Sequence, residues 1–390
     1  MKKSFSKVDF LAQVLYEVIE RRVSLDVAFK RVCRGRCAGS LEEREKLYLE
    51  CRRFISDYIK LRCIVKKKKP SYRHLSRVWL IGVDTRLSEP HCRLSVSKWL
   101  YDKVVGLLGA DETEALFESF EDRVWWLRLN WLKAPEERVL RELETEGIEF
   151  EVHPEIPYMV RVFKSPKPLR LLKTVKEFKA IPQDLASALC VEFMGVCPGD
   201  VVVDMCAAPG LKTSLIAMLE EDVRILAFDI SRKRAEVMKH LLRKIGVPEH
   251  RVQLVAADSR RINLASSVDK VLLDAPCSNS GSIDKDPSIK ATLTVGKIEF
   301  YSKRQLELLL KSAELSEDIV YSTCSLLPEE GEEVVAKAMN IVSLKPVIPP
   351  RFRSFCRPGY SPYGISSSVC RLFPHIHNSE GFFIARFEVK

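Results

Sequence analysis

The chain has 390 residues, 46% of them hydrophobic, and a formal net charge of +10 from 63 basic against 53 acidic residues. That length exceeds the reach of one hydrophobic core, so more than one domain is expected, and the basic balance favours nucleic acid over an acidic small molecule. No apolar run is long enough to cross a bilayer, and Met1-Lys2-Lys3 leads into Ser4, Lys7 and Asp9 rather than a signal-peptide core, so a soluble cytoplasmic protein with no membrane partner is expected.

The first segments are helical. Phe10, Leu11, Val14, Leu15, Val18 and Ile19 recur at helical spacing, and Ser40 with Glu43 forms a capping box opening a helix through Leu47, Cys51, Phe54, Ile55 and Tyr58 to about Val65. Lys66-Lys67-Lys68-Lys69-Pro70 stops it, and further helical patterns cover residues 74–82 and 95–108, so residues 1–120 are expected to form an all-helical domain. The twelve cysteines are too sparse and irregular for a secreted disulfide framework. Cys33 and Cys37, the close pair, have no second pair or histidine cluster beside them, so they read as ordinary helix cysteines and no metal site is expected. Only four Gln and five Asn occur among abundant Lys, Arg and Glu, a bias of proteins from hot environments.

At Val124 the period changes. Residues 124–129 read as a strand, 135–146 as a helix and 149–152 as a second strand, so residues 121–180 are expected to form a small α+β connector. Seven basic residues lie between Arg161 and Lys179 against one acid, Glu177, which reads equally as a solvated face or an RNA-contacting surface. Beyond Gln183, strands at 201–205, 224–228, 252–256 and 268–273 alternate with helices, predicting an α/β domain over residues 181–390 with a parallel sheet and ligands beyond the strands' carboxyl ends.

The candidate residues sit at those ends. Asp204-Met205-Cys206-Ala207-Ala208-Pro209-Gly210-Leu211-Lys212-Thr213 follows the first strand and opens a helix, where small residues let the backbone approach a ligand. Asp229 ends the next strand, where a carboxylate can bind ribose hydroxyls, and Asp258 ends the third, where it can accept from an adenine amino group. Singly each aspartate reads as a helix cap or turn former; together they favour a nucleoside. The absence of G-x-G-x-x-G and of G-x-x-x-x-G-K-[ST] argues against a dinucleotide or a triphosphate. Asp274-Ala275-Pro276-Cys277-Ser278 ends the fourth strand, and Tyr321-Ser322-Thr323-Cys324-Ser325 ends a fifth. A lone cysteine is more often inert and buried, but two at matching strand ends point to chemistry. A thiolate adding to carbon 6 of cytosine would make carbon 5 nucleophilic enough to take a methyl group from a sulfonium. Lys212 could supply part of the electropositive setting a thiolate needs, and Asp274 could hydrogen-bond the base edge.

These motifs, with Pro328-Glu329-Glu330, the closing Gly381-Phe382-Phe383-Ile384-Ala385-Arg386, Gln183-Asp184 and Leu127-Arg128-Leu129-Asn130, are similar to those of the Sun/Fmu-type RNA cytosine-5 methyltransferases, especially the small-subunit ribosomal RNA methyltransferase B subgroup. The resemblance covers essentially the whole chain, its first 65 residues more weakly. It implies a Rossmann-like class I methyltransferase domain preceded by a NusB-like RNA-binding domain, and an RNA (cytosine-5-)-methyltransferase activity. It implies Cys324 as nucleophile, Cys277 assisting release of the product, and S-adenosyl-L-methionine held by Cys206, Ala207, Ala208, Pro209, Gly210, Leu211, Lys212, Asp229, Arg234, Asp258 and Asp274. The partner expected is ribosomal RNA first and transfer RNA second, bound by a monomer. The chain departs from the family pattern at Leu211, at Ser316-Glu317-Asp318, and along Asp284-Lys285-Asp286-Pro287-Ser288-Ile289-Lys290-Ala291. DNA cytosine methyltransferases use only the cysteine corresponding to Cys277, and adenine-directed enzymes place an aromatic residue there. A non-catalytic RNA-binding assembly factor is the alternative from another class.

Overall fold

The computed structural model describes residues 6–34, 37, 40–82 and 87–388; Met1-Lys2-Lys3 and Ser4, considered above in relation to targeting, lie outside them. Two units are distinguished, Met1–Arg123 with Ser282–Val295, and Val124–Gly281 with Gly296–Lys390. Among the described residues no helix is long and apolar enough to cross a membrane.

The first unit contains α1 (Lys7–Ile19), α2 (Leu25–Cys33), α3 (Leu41–Ser56), α4 (Tyr58–Val65), α5 (Tyr72–Ile81), α6 (Pro90–Arg93), α7 (Lys98–Leu108) and α8 (Ala110–Ser119). Helix α1 buries Phe10, Leu11, Val14, Leu15 and Val18, the stripe its spacing predicts. The capping box is present, with the Glu43 amide donating to Ser40 Oγ at 3.2 Å and the Ser40 amide to Glu43 Oε2 at 2.6 Å. The single helix expected to Val65 is divided at Asp57, whose carboxylate accepts the Trp79 indole N–H at 2.8 Å. Residues from the second half of the chain complete this unit. Arg52 donates to the Asp284 and Lys285 carbonyls, and the buried Lys290 ammonium reaches Glu121 at 2.7 Å and Ser56 Oγ at 3.2 Å.

The second unit begins with β1 (Trp125–Leu129), α9 (Glu136–Thr145), β2 (Glu149–Val152), β3 (Met159–Lys164), α10 (Lys173–Lys176) and β4 (Ala180–Pro182). The strands form an antiparallel sheet in the order β2-β3-β1-β4, of which β3 and β4 were not predicted. There follow α11 (Leu185–Glu192), β5 (Val201–Asp204), α12 (Leu211–Leu219), β6 (Arg224–Asp229), α13 (Arg232–Ile245), β7 (Val252–Ala256) and β8 (Lys270–Asp274). After α14 (Ser288–Thr292) of the first unit come α15 (Val295–Leu315), β9 (Asp318–Thr323), α16 (Glu332–Met339), β10 (Lys345–Val347), β11 (Cys370–Leu372), α17 (Pro374–His377) and β12 (Phe382–Glu388). The large sheet runs β10-β12-β9-β8-β5-β6-β7, with β11 on β12.

The α/β expectation holds, and β5 to β9 pair in parallel as predicted. The sheet is nevertheless mixed, because β12 lies antiparallel between β9 and β10 and also pairs antiparallel with β11. The connection from β11 to β12 is too short for the crossover that a parallel pair requires. One apolar core runs from the small sheet through α11 and α12 to the large sheet. Within it the fully buried Arg128 donates to the Leu211 carbonyl at 2.9 Å and Ser214 Oγ at 2.8 Å, fixing the start of α12, and Asn130 Nδ2 reaches the Ile245 carbonyl at 2.8 Å where α13 ends. A second core fills the sheet's other face.

Cys33 and Cys37 are not the ordinary helix cysteines expected. Disulfides join Cys33 to Cys37, Cys63 to Cys92 and Cys356 to Cys370. Two of these pairs, 29 and 14 residues apart in sequence, are brought together by tertiary packing that linear spacing does not display.

Candidate active site

Register decides which strand-end residues meet. In the parallel sheet Asp274 of β8 lies opposite Ser322 of β9, and the Ala275 amide donates to the Ser322 carbonyl at 2.9 Å, so the two chains leave the sheet at one level. Three residues on from Asp274 and two on from Ser322, the sulfurs of Cys277 and Cys324 lie 3.1 Å apart. Both sit 3.2 Å from Asn279 Oδ1, and Asn279 has a left-handed backbone, φ 62°, that an asparagine tolerates. Where the loop closes there is no room for a side chain, since a Cβ on Gly281 would fall 1.9 Å from the Gly381 carbonyl oxygen. A Cβ on Gly381 would in turn meet Leu326 Cδ2 at 2.5 Å and Gly281 Cα at 3.0 Å, which accounts for the glycine ahead of the closing Phe-Phe strand; the Gly381 amide donates to the Gly281 carbonyl at 2.8 Å, and the Gly281 amide to the Cys324 carbonyl at 3.0 Å.

A cavity of about 360 Å³ opens beside the sulfurs, lined by Cys206, Ala208, Asp229, Arg234, Asp258, Asp274, Cys277, Asn279, Tyr301, Arg304 and Cys324 among others. A larger groove of about 570 Å³ along α13 and β7 holds no nucleophile. The cavity therefore gathers six of the proposed site residues with both thiols. Ala207, Pro209, Gly210, Leu211 and Lys212 do not line it but belong to the same β5–α12 segment as the lining residues Cys206 and Ala208. Gly210 adopts φ 102°, and a Cβ there would meet Met238 of α13 at 2.8 Å, so this turn needs glycine.

The acids divide by depth. Asp204 is paired with Ala227 in register, two residues below Asp229, and is buried beneath the cavity, where it accepts the Thr213 hydroxyl at 2.7 Å; burial pushes its carboxyl up to about 7. Asp229 accepts the Ser231 amide at 2.9 Å and pairs with Arg234 at 3.3 Å, while Arg234 also donates to the Ala208 carbonyl. The Asp258 carboxylate is held from both oxygens by Arg260, at 3.0 and 2.6 Å, which keeps it below its usual range. Arg260 was not among the residues predicted from sequence, although it stands two positions after a predicted one.

Lys212 and Asp274 form an ion pair at 2.7 Å, and Asp274 also accepts the Ser322 hydroxyl at 3.0 Å. Burial disfavours the Lys212 cation, but the charge of Asp274 outweighs it and holds the ammonium protonated. The thiols differ. Cys277 is buried, and its hydrogen bond with Cys324 together with burial pushes it well above the ordinary thiol range; Cys324 is partly open.

The basic stretch from Arg161 to Lys179 is largely neutralised. Lys164 pairs with Glu149, Lys167 with Glu146, Lys173 with Glu177, and Lys179 with Glu142 and Glu177. Helix α13 carries the opposite arrangement: Arg232, Lys233 and Lys244 are exposed and make no salt bridge among the described residues. The run Arg232-Lys233-Arg234 was the available signal in the sequence.

A family model described as 16S rRNA methyltransferase RsmB/F matches residues 193–388. The 25S rRNA (cytosine-C(5))-methyltransferase nop2 of Schizosaccharomyces pombe is 28% identical over 323 residues, covering 78% of this chain and 53% of its own length. Ribosomal RNA small subunit methyltransferase B of Photorhabdus laumondii is 28% identical over 281 residues, covering 67% and 58%. The chain thus spans little more than half the length of these relatives. The crystal structure of PH0851 superposes over the whole of both chains with a TM-score of 0.78 and 25% identity.

Proposed function

The chain belongs to the 16S rRNA methyltransferase RsmB/F family, and from that membership we propose that it methylates carbon 5 of a cytosine in RNA, with ribosomal RNA the favoured substrate. The observation that carries this reading is the pair of sulfurs 3.1 Å apart at the lip of a cavity into which three strand-end carboxylates converge. The names of the two relatives support ribosomal RNA. The cavity fits S-adenosyl-L-methionine: Asp229 offers an acceptor for ribose hydroxyls, Asp258 and Arg260 line the neighbouring wall, and residues 206–210 supply a close backbone turn. That cofactor supplies an electrophilic methyl group on a positively charged sulfur.

In this scheme Cys324 forms a bond from Sγ to carbon 6 of the base, and the ring electrons displaced make carbon 5 the nucleophile. After carbon 5 gains the methyl group, its proton leaves to solvent water, the bond to Sγ breaks with its electron pair going to the sulfur, and the ring double bond is restored. Cys277, buried and holding its proton 3.1 Å from that sulfur, would assist the elimination by protonating Sγ as it departs. The Lys212–Asp274 pair would meet the amide-like edge of the base, so that charge developing there is stabilised by groups already oriented toward each other. We further propose that the helical unit docks RNA, supported by its exposed Lys66 to Lys69 run.

The test is transfer of a labelled methyl group from S-adenosyl-L-methionine to ribosomal and transfer RNA, followed by mapping of the modified positions. 5-Methylcytosine in ribosomal RNA is expected. Cofactor and RNA binding with no methylated cytosine in either RNA would leave the non-catalytic reading standing instead.

A further inference from the structure

We propose that Glu330, which does not line the cavity, is the positioning residue that sets the spacing of the two thiols. Its side chain is fully buried and accepts four hydrogen bonds. Oε1 takes the Ser278 amide at 2.7 Å and Gln305 Nε2 at 3.2 Å, while Oε2 takes the hydroxyls of Ser278 at 2.5 Å and Ser325 at 2.7 Å. Ser278 and Ser325 are the residues that immediately follow Cys277 and Cys324.

The hold extends to the residues ahead of each cysteine. The Glu330 carbonyl accepts the Tyr321 hydroxyl at 2.7 Å and the Thr323 hydroxyl at 3.1 Å, both on β9 before Cys324. Gln305, bonded to the Glu330 carboxylate, also donates to the Pro276 carbonyl at 2.9 Å, next to Cys277. One residue thereby connects both loops on both sides of their sulfurs.

A buried carboxylate costs several kcal/mol of lost hydration unless its lone pairs are filled, and here four neutral donors fill them. Burial pulls the Glu330 carboxyl upward while these donors pull it down. A fully satisfied buried network of this kind rigidifies what it touches. Two loops held only by apolar packing would be free to slide by fractions of an ångström, and misplacement of about 1 Å costs roughly a hundredfold in rate.

The chemistry affected rests on the function proposed above, so the experiment includes an arm that does not. In the full-length protein, Glu330→Ala and Glu330→Gln are compared with the unaltered chain in two measurements. The first is the rate at which the thiol oxidant diamide joins Cys277 to Cys324, followed by peptide mass spectrometry; both thiols lose hydrogen, and the azo bond of diamide takes it up. The second is kcat and KM for methyl transfer.

For Glu330→Ala, cross-linking is expected to slow by about tenfold and kcat to fall by about a hundredfold, with KM for RNA and cofactor changed less than about threefold. Glu330→Gln preserves volume and one acceptor, and the two serine hydroxyls can turn to accept from its amide, so partial rescue is expected in both measurements. Wild-type cross-linking in both variants overturns the proposal, as does a kcat within about twofold of wild type for Glu330→Ala. If Glu330→Ala does not fold, Glu330→Gln decides: slowed cross-linking in a folded protein supports the proposal, and an unchanged rate rejects it. Absence of methyl transfer by the unaltered chain rejects the proposed function, while the cross-linking arm still judges Glu330.

Discussion

The loop after β8 and the loop after β9 leave the sheet side by side, each with a cysteine followed by a serine tied to the same buried carboxylate. Their surroundings then diverge. Cys277 follows Ala275-Pro276, is 7% exposed, and has its thiol pushed well above the ordinary range, whereas Cys324 follows the last residue of β9 and is partly open to the cavity. Similar motifs at similar levels of one sheet therefore yield two different sulfurs, and the hydrogen bond to Cys324 together with burial makes Cys277 the one that keeps its proton.

The sharpest way to break this comparison is to remove each sulfur in turn. Cys324→Ala is expected to lower methyl transfer by at least about a thousandfold, because the sulfur proposed to add to carbon 6 and so activate carbon 5 is then missing. Cys277→Ala is expected to permit methylation but slow release, so that a protein–RNA adduct survives denaturation on a gel. Undiminished turnover in both variants, with no adduct, would remove the covalent scheme.

A smaller effect should appear without any mutation. Alkylation by iodoacetamide at about pH 8 is expected to label Cys324 at least about tenfold faster than Cys277. Labelling of Cys277 should rise only at pH values above 9, since its thiol is held above that ordinary value. Equal labelling of the two at neutral pH, measured by peptide mass spectrometry, would erase the distinction.

Much of this site is legible in the sequence because the strand ends concentrate it: Cys206 to Lys212, Asp229, Asp274, Cys277 and Cys324 stand directly after runs whose period marks them as buried parallel strands. What periodicity does not carry is the pairing of distant side chains. Glu330 lies in a quoted motif, yet its four hydrogen bonds span residues 278 to 325 and depend on the adjacency of β8 and β9. The same holds for the buried pair of Arg371 and Glu332 at 2.5 Å, and for Lys164 and Lys179, whose positive charge is offset by glutamates from other elements. The antiparallel β12 escaped prediction because Phe382-Phe383-Ile384-Ala385 signals a buried strand but not its direction.

The acids allow a milder version of the comparison. Asp204, buried below the cavity with its carboxyl pushed up to about 7, keeps its proton in the fold where the unfolded chain, at its ordinary 3.8, has lost it. The folded state then binds the extra proton, so this group's contribution to stability is present below about pH 4 and lost as pH rises to about 7. Asp204→Asn, which can still accept from Thr213, should flatten that loss and raise the melting temperature at about pH 8 relative to pH 5. Asp274→Asn instead removes the partner of the Lys212 ammonium and should lower the melting temperature at both. Parallel pH profiles for the two variants would contradict the division by depth.

The finest distinction concerns the serines behind the sulfurs. Ser278 holds Glu330 twice, through its hydroxyl and its amide, so Ser278→Ala leaves the amide bond in place. Ser325 donates to Glu330, meets Ser280 Oγ at 3.0 Å, and accepts the Leu327 amide at 3.1 Å. Ser325→Ala therefore leaves a buried N–H without its acceptor as well as a carboxylate short of a donor, which costs about 1–3 kcal/mol against about 1 kcal/mol for Ser278→Ala. Urea unfolding of the two variants measures the difference, and equal or reversed losses would mean that the loop of Cys324 is not the more firmly built of the pair. The expected order fits the proposed chemistry, in which the sulfur that would bond to one ring atom has the stricter demand on its position.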